Sequence, residues 1–420
     1  MKLAEIIEKY IPGDWGNEVP GNENPYQVSC IRGADIVPIE NVDYSEIPYR
    51  YISERSYNTR LLSVGDIIIE KSGGSPTQST GRVSIVTEDL LKERQNIVCS
   101  NFCEAFRVKS SWNPWYVYYY FRFIYDQGVV FNFEGKTSGL KNLQMDNAFS
   151  SIEIEEFDRS IQDKVANAIL DLDTKIAINH QINRKLEAMA KQLYDYWFIQ
   201  FDFPDANGRP YKTSGGKMVW NETLKREIPE GWEDKSLSEL SDNEMCSIMP
   251  SSEPDKVFKH FSIPAYDACG FYEEELGKNI LSNKNVVTEH DVLVSKLNPW
   301  TSRVIWGIDD PDAICSTEYV SLRPKSSDEK AYMFMIAKSL PFMKYCTEAS
   351  TGTSHSHRRV NPDILRMYKV PYSRNCVKAF CDMTEEFFNR ITINKTAEKE
   401  LREQRDFILP LLMTGQVSIG

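Results

Sequence analysis

The chain has 420 residues, of which 41% are hydrophobic, enough for two or more domains with cores of their own. No apolar run reaches the ~18 residues of a membrane span, and the charged start does not read as a signal peptide, so we expect no membrane association. The net charge of −12 argues against a uniformly basic nucleic-acid-binding protein, but acidic helices can coexist with local basic loops.

The sequence predicts a mixed α/β domain over residues 1–155. Residues 66–71 form a short apolar run between glycines and serines, which indicates a buried strand. Two polar, glycine-containing loops follow it in this domain, at residues 71–82 and 135–142. The aromatic stretch 112–125 has strand propensity, but its length and the Asn-Pro at its start favour a helix.

A forty-residue apolar pattern over 157–197 contains no Pro or Gly and predicts one helix about 60 Å long at about 1.5 Å per residue. So long a helix needs a partner along its length. The apolar residues expected to face that partner are Phe157, Ile161, Val165, Ala168, Leu172, Ile176, Ile182, Leu186, Met189, Leu193 and Trp197.

The expected partner is a second helix over residues 372–412, where the same pattern returns 215 positions later. Asn179 thereby corresponds to Asn394. A lone Asn on a coiled-coil seam fixes the alignment of two helices, so these two residues are expected to hold the register. The alternative is that each helix packs only on its own globular domain. It is disfavoured because the repeat extends beyond the helices.

The second domain repeats the first. The strand at 66–71 matches 291–296, Arg82 matches Arg303, and the loop at 137–139 returns at 350–352. We therefore predict an α+β chain of two repeated mixed α/β domains, separated by two long antiparallel coiled-coil helices in a pseudo-twofold arrangement. The predicted boundaries are 1–155 for the first domain, 156–200 for the central helix, 201–226 for a connector, 227–371 for the second domain and 372–413 for the C-terminal helix.

We find no complete catalytic motif in the sequence. Residues 113–116 (NPWY) lack the second Pro of an adenine-N6 methyltransferase motif, and 135–137 (GKT) lack the first Gly of a P-loop. The nine cysteines are never spaced CxxC and are expected to be reduced thiols of a cytoplasmic protein. We expect a non-catalytic chain with no metal site and no cofactor.

The duplicated polar loops are the candidate binding sites. Arg and Lys can bind guanine edges, Gln and Asn adenine edges, and Ser and Thr hydroxyls phosphates. Ordinary solvated loops are the competing interpretation, which the duplication weakens. The candidates are Lys71, Ser75, Gln78, Arg82, Lys136, Thr137, Lys141 and Asn142 in the first domain, and Lys296, Asn298, Arg303, Thr353, Ser354, His355, His357, Arg358 and Arg359 in the second.

Several segments together resemble one known family over essentially the whole chain. They are 176–187 (IAINHQINRKLE), 193–204 (LYDYWFIQFDFP), 207–212 (NGRPYK), 228–232 (IPEGW) and 407–416 (FILPLLMTGQ). This combination resembles the specificity (S) subunits of type I restriction–modification systems. One departure is that residues 11–16 (IPGDWG) differ from 228–232, so the two halves begin differently.

The resemblance implies a DNA-binding subunit with two target recognition domains, each reading one half of a bipartite site in double-stranded DNA. The helices would set the gap and dock methyltransferase (M) subunits, which supply adenine-N6 DNA methylation. Restriction/translocase (R) subunits would supply the nuclease. Two alternatives stay open: a recognition subunit of a methylation-only or other defence complex, and a coiled-coil scaffold that does not bind DNA.

Overall fold

The computed structural model describes residues 1–75, 78–137, 140–243, 245–352 and 357–417. The chain forms two compact units. Unit 1 comprises Met1–Gln181 with Thr396–Gly420, and unit 2 comprises Ile182–Lys395. No helix among the described residues combines the length and the apolar character needed to cross a membrane.

Unit 1 is built on three sheets. The four-stranded antiparallel sheet has the order Ile7–Pro12, Cys103–Val108, Ile67–Glu70 and Val83–Ile85. The other two have the orders Tyr49–Ile52, Tyr26–Ile31, Ile97–Cys99 and Ser72–Gly73, Leu140–Leu143, Glu134–Thr137. The predicted strand at 66–71 is thus confirmed, and it is buried on both faces because Ile67 and Ile69 pack in one hydrophobic cluster and Ile68 packs in another.

The aromatic stretch forms the helix Pro114–Asp126, as predicted. The Asn113 side chain caps it by accepting hydrogen bonds from the backbone amides of Trp115 and Tyr116. Because this helix covers the four-stranded sheet, its aromatic rings can be buried on nearly all sides, which strand propensity alone does not anticipate. The other helices of unit 1 are Leu3–Ile6, Gly33–Asp35, Ile36–Glu40, Glu54–Arg60, Glu88–Glu93, Val130–Phe133 and Met145–Ser151.

Unit 2 repeats this plan. Val292–Ser295 lies between Val304–Trp306 and Tyr319–Ser321, as Ile67–Glu70 lies between its two neighbours in unit 1. A five-stranded sheet has the order Ser247–Ile248, Lys284–Val286, Ala313–Cys315, Val257–Phe261 and Glu273–Leu276. The two-stranded pairs are Met218–Asn221 with Arg226–Pro229, Glu233–Ser236 with Lys369–Tyr372, and Ser241–Asp242 with Arg323–Pro324. The helices are Leu237–Leu240, Pro250–Ser252, Ile263–Cys269, Gly277–Asn279, Ser327–Glu329, Lys330–Lys338, Leu340–Glu348 and Pro362–Arg366.

A buried carboxylate at the start of the central strand recurs in both units. Asp66 and Asp291 are both 0% exposed. Asp66 pairs with Arg107 at 2.8 Å, and Asp291 pairs with Arg323 at 3.0 Å. Each carboxylate also accepts a backbone amide hydrogen bond from three residues upstream. The repeat predicted from the sequence therefore extends to the same buried ion pair in each unit.

Two long helices were predicted and are confirmed, at Arg159–Tyr194 and Arg374–Met413; the first ends in a π-helical turn, Asp195–Ile199. In unit 1 they are antiparallel, because Asp173 pairs with Arg405 while His180, further along, faces Glu398.

The same orientation holds in unit 2. There Asn183 bonds Asn394 while Tyr194, further along the first helix, packs on Phe380. Within each unit the second helix therefore runs against the first.

The first long helix buries some of the residues predicted to face its partner, such as Val165, Ile176 and Trp197, but not all of them. Buried positions recur every seven residues, as in a coiled coil, at Gln162, Ile169, Ile176, Asn183, Ala190 and Trp197. The predicted Ile161, Ile182 and Met189 each lie one position before this seam and are 43%, 36% and 53% exposed. The apolar pattern misled because polar residues occupy seam positions, where each has a hydrogen-bond partner.

The prediction that Asn394 holds the register is confirmed, but the same prediction for Asn179 is wrong. Asn394 Nδ2 donates to Asn183 Oδ1 at 2.8 Å, whereas Asn179 is half-buried. The seven-residue spacing explains this, since Asn183 lies seven residues after Ile176 on the seam and Asn179 does not. A polar pair that fixes register is present, but its partner on the first helix is one turn further along.

We expect Asn394→Leu to destabilise unit 2 by about 1–3 kcal/mol, because it removes the partner of a buried amide. Urea unfolding followed by circular dichroism measures this. The double change Asn183→Leu with Asn394→Leu should recover most of the loss, because two apolar side chains can pack at a seam position. A single variant as stable as the parent would contradict the importance of the pair.

Candidate nucleic-acid interface

The two predicted polar loops of unit 1 form one surface. Ser72 and Gly73 pair with Asn142 and Lys141, and the latter strand pairs with Glu134–Thr137. We call residues 71–75, 78–82, 134–137 and 140–143 polar surface 1. The sequence could not indicate this contact, because about seventy positions separate the two loops.

Glycines allow the first loop to turn against the second. Gly73 and Gly74 have positive φ values of 141° and 72°, where side chains are strained. A Cβ on Gly74 would lie 2.8 Å from the Gln78 carbonyl oxygen. Glycine is therefore required for this turn to hold its close contact.

Two lysines of polar surface 1, Lys71 and Lys141, face acids. Lys71 Nζ lies 3.0 Å from Glu104 and keeps 40% of its side chain exposed. Lys141 Nζ lies 3.5 Å from Glu134, and it is only 16% exposed. The charges of these two lysines are therefore compensated by neighbouring carboxylates.

Arg82 is more deeply held than its loop position suggested. Its guanidinium makes two hydrogen bonds to Glu70, at 2.8 and 2.9 Å, and one to the Gly33 carbonyl. Glu70 is only 3% exposed, and the side-chain amide of Gln78 lies against the guanidinium. The hydrogen bond to Glu70 raises the pKa of Arg82 above its usual value. Arg82 therefore ties the loop to the sheet.

The remaining candidates of polar surface 1 lie on the two loops and the strand that they form. Ser72 Oγ lies 2.5 Å from Asn142 Oδ1, so a side-chain contact joins the two loops. Ser75 and Gln78 close a turn through their backbones. Lys136 and Thr137 lie on the strand opposite Lys141 and Leu140.

The loops of unit 2 also come together. The Asn298 amide donates to the Arg358 carbonyl at 2.8 Å, and the Arg358 amide donates to Asn298 Oδ1 at 3.1 Å. Asn298 has a φ of 48°, a conformation that Asn tolerates better than most residues. Val360 bonds the Lys296 carbonyl at 3.0 Å. We call residues 296–303, 351–352 and 357–360 polar surface 2.

Arg303 and Arg359 show the same contrast as Arg82 and Lys71. Arg303 binds Asp267 through two nitrogens, at 2.6 and 2.8 Å, and is 8% exposed. Arg359 pairs with Glu318 at 2.9 Å but keeps 46% of its side chain exposed. His357 is exposed, and Arg358 donates to the Ser350 carbonyl. The candidates Thr353, Ser354 and His355 lie outside the described residues.

Sequence reasoning missed a cluster in unit 2 formed by His260, Glu273 and Glu275. Their ligand-type atoms lie within 4.8 Å of one another, since neighbouring strands carry them. His260 Nδ1 lies 2.9 Å from Glu275, and its Nε2 has no hydrogen-bond partner among the described residues. When one ring nitrogen of a histidine binds a metal, the other ring nitrogen usually donates a hydrogen bond. Because Nε2 has no such partner, we interpret the cluster as a buried histidine–carboxylate pair.

Comparisons with known proteins find similarity to type I specificity subunits. No protein-family model matches the chain. It is 22% identical to the specificity subunit of the type I restriction enzyme MjaIX of Methanocaldococcus jannaschii, over 97% of this chain and 95% of that protein. It is 21% identical to the specificity subunit of the type I restriction enzyme HindI of Haemophilus influenzae, over 64% of this chain and 70% of that protein.

The fold is similar to the crystal structure of the S subunit of a type I restriction–modification system from M. genitalium. The TM-score is 0.59 at 12% sequence identity, covering 98% of this chain and 95% of that one. The resemblance to type I specificity subunits and the predicted fold class are thus confirmed.

We expect Arg82→Ala to destabilise unit 1 by about 3 kcal/mol or more, because it leaves the buried Glu70 carboxylate without its partner. Lys71→Ala removes an equal charge from the same loop, but at an exposed site, so it should change stability by at most about 1 kcal/mol. Urea unfolding of the two variants measures the difference. Equal effects would show that the Arg82 pair does not hold the loop.

Proposed function

We propose that this chain is the non-catalytic specificity subunit of a type I restriction–modification complex and recognises a bipartite site in double-stranded DNA. Its target recognition domains would be residues 1–155 and 227–371. The observation that carries the proposal is the repeated meeting of two polar loops in one surface in each unit. A coiled-coil scaffold has no need of two such surfaces. The near full-length similarity to a named specificity subunit supports the same conclusion.

Each polar surface would read one half of the site. The exposed Lys71 and Arg359 are the cations best able to reach a phosphate or a base edge. Gln78, Asn142 and Asn298 carry the amides that suit adenine. The candidates Lys136, Thr137, Thr353, Ser354 and His355 are assigned to the same two proposed surfaces.

The acids beside these cations would limit non-specific binding. Glu104 and Glu318 hold Lys71 and Arg359 until a phosphate replaces the carboxylate, so an unmatched DNA surface gains less from counterion release. Arg82 and Arg303 would act as positioning residues that fix the loops to the sheet. This assignment reconciles local DNA binding with a net charge of −12.

The long helices would set the gap between the half-sites and dock the methyltransferase subunits. Large apolar side chains are exposed along both helices, and they would supply apolar contacts to a docked subunit. Ile178 and Met189 on the first helix are 49% and 53% exposed, and Ile393 and Phe407 on the second are 56% and 72% exposed. Restriction subunits would join the assembled complex.

Grafting both loops of polar surface 2, residues 296–303 with 351–359, from a relative of different specificity should change one half of the methylated site and leave the other half unchanged. Mapping of methyladenine by single-molecule sequencing provides the readout. A graft of the connector 205–217 is the matched control and should change neither half. If both halves change, or if neither changes in a complex that methylates DNA, independent reading by each unit is wrong.

Inserting seven residues after Gln181 and seven after Lys395 should lengthen both helices by about 10 Å at about 1.5 Å per residue while preserving the seven-residue seam. At about 3.4 Å per base pair, the preferred gap should grow by about three base pairs with both half-sites unchanged. Methylation mapping checks this. Seven residues inserted after Gly208, in the connector, should leave the gap as it was. An unchanged gap after the helix insertions, in a methylation-competent complex, would eliminate the spacer role.

A further inference from the structure

Unit 1 contains a cavity of about 410 Å³ outside its polar surface. The helix Pro114–Asp126, the edge strand Val83–Ile85 and the two long helices line much of it, and it is partly open to solvent. Its walls are largely apolar and include the rings of Trp115 and Tyr118. This volume lies within the range of small-molecule sites, which begins at about 300 Å³.

The acids on the cavity wall are already engaged. Asp173 Oδ1 accepts from Arg405 at 2.9 Å, and its Oδ2 lies 3.3 Å from Arg122. Glu40 accepts a hydrogen bond from Tyr118 at 3.4 Å. The third acid, Asp89, pairs at 3.2 Å with Lys92 on its own helix. Asp173 and Asp89 therefore already have cationic partners, and a further cation lies on the wall.

Arg402 is that further cation. Its guanidinium donates to the side-chain oxygen of Asn41 at 2.9 Å, and it makes no ion pair among the residues that the structure describes. Burial and the neighbouring Arg405 lower the pKa of Arg402 below its usual value. The carboxylates of Glu398, Asp173 and Glu40 offset only part of this shift, and an anionic ligand bound to the guanidinium would offset more of it.

The corresponding place in unit 2 is filled. Trp306 stands at the end of the strand equivalent to the one that ends at Ile85, and Phe388 lies 215 residues after Asp173. The two rings stack with centroids 4.9 Å apart, and the space left there is about 60 Å³. The repeated fold can thus close this position with aromatic side chains, whereas unit 1 keeps an open space and a charged wall.

We propose that the unit 1 cavity binds a small organic anion whose planar apolar body packs beside Trp115 and Tyr118 and whose carboxylate or phosphate group pairs with Arg402. This site is separate from polar surface 1 and does not depend on the proposed function.

Calorimetric titration of the full chain with 2-naphthoate, 2-naphthyl phosphate and the uncharged 2-naphthamide tests the proposal. We expect one site per chain and a preference of at least about tenfold for the better anion over the amide. A tighter phosphate ester points to a nucleotide-like ligand, and a tighter carboxylate to an organic acid; either supports the site.

Two variants locate the binding. Arg402→Gln should abolish the preference for the anion, whereas Arg390→Gln, an equal charge change at an exposed position of the same helix, should retain it. Ala177→Phe, which fills the cavity, should abolish binding of all three compounds. Absence of binding at millimolar concentrations, an anion preference that survives Arg402→Gln, or binding that survives Ala177→Phe in the folded protein would each overturn the proposal.

Discussion

The seven-residue seam between the two long helices is the constraint on which the rest of the structure depends. Every second turn of the first helix presents a buried side chain, and both helices also form part of the cores of both units. The seam tolerates polar residues only where they are paired, as Asn183 with Asn394 and Arg405 with Asp173 are. Such pairs have strict geometric requirements, so they fix one alignment where apolar residues alone would permit several.

A second constraint acts on the polar surfaces, where five cations are already paired with acids: Lys71, Arg82, Lys141, Arg303 and Arg359. The buried pairs of Arg82 and Arg303 supply rigidity, and the exposed pairs of Lys71 and Arg359 supply groups that can exchange partners. Binding by exchange depends on geometry as well as on charge, because a phosphate must replace a carboxylate that is already well placed. An acidic protein can in this way bind a polyanion at chosen points and be repelled from it elsewhere.

Much of the architecture could be predicted from the sequence, since long periodic helices and an internal repeat are patterns along the chain. The buried strand at 66–71 and the helix begun by Asn113 followed from local signals. The partner of Asn394 could not be predicted, because heptad phase is ambiguous when polar residues occupy the seam.

The candidate site was harder to predict than the fold. Nothing in the local sequence around Arg82 indicates that the Glu70 carboxylate will accept two of its hydrogen bonds. The meeting of the two loops in each unit, and the cavity beside Arg402, depend on contacts between distant segments. Such contacts leave no periodic trace in the chain.

The division of the chain between the two units affects the order in which they are completed during synthesis. Unit 2 is one uninterrupted segment, whereas the core of unit 1 includes Leu409, Leu412 and Met413 from the far end of the chain. A ribosome therefore releases every residue of unit 2 before the last pieces of unit 1. Until those pieces are synthesised, part of the apolar core formed by the first 181 residues stays uncovered. Unit 1, whose larger segment is synthesised first, is thus the last of the two units to complete its core.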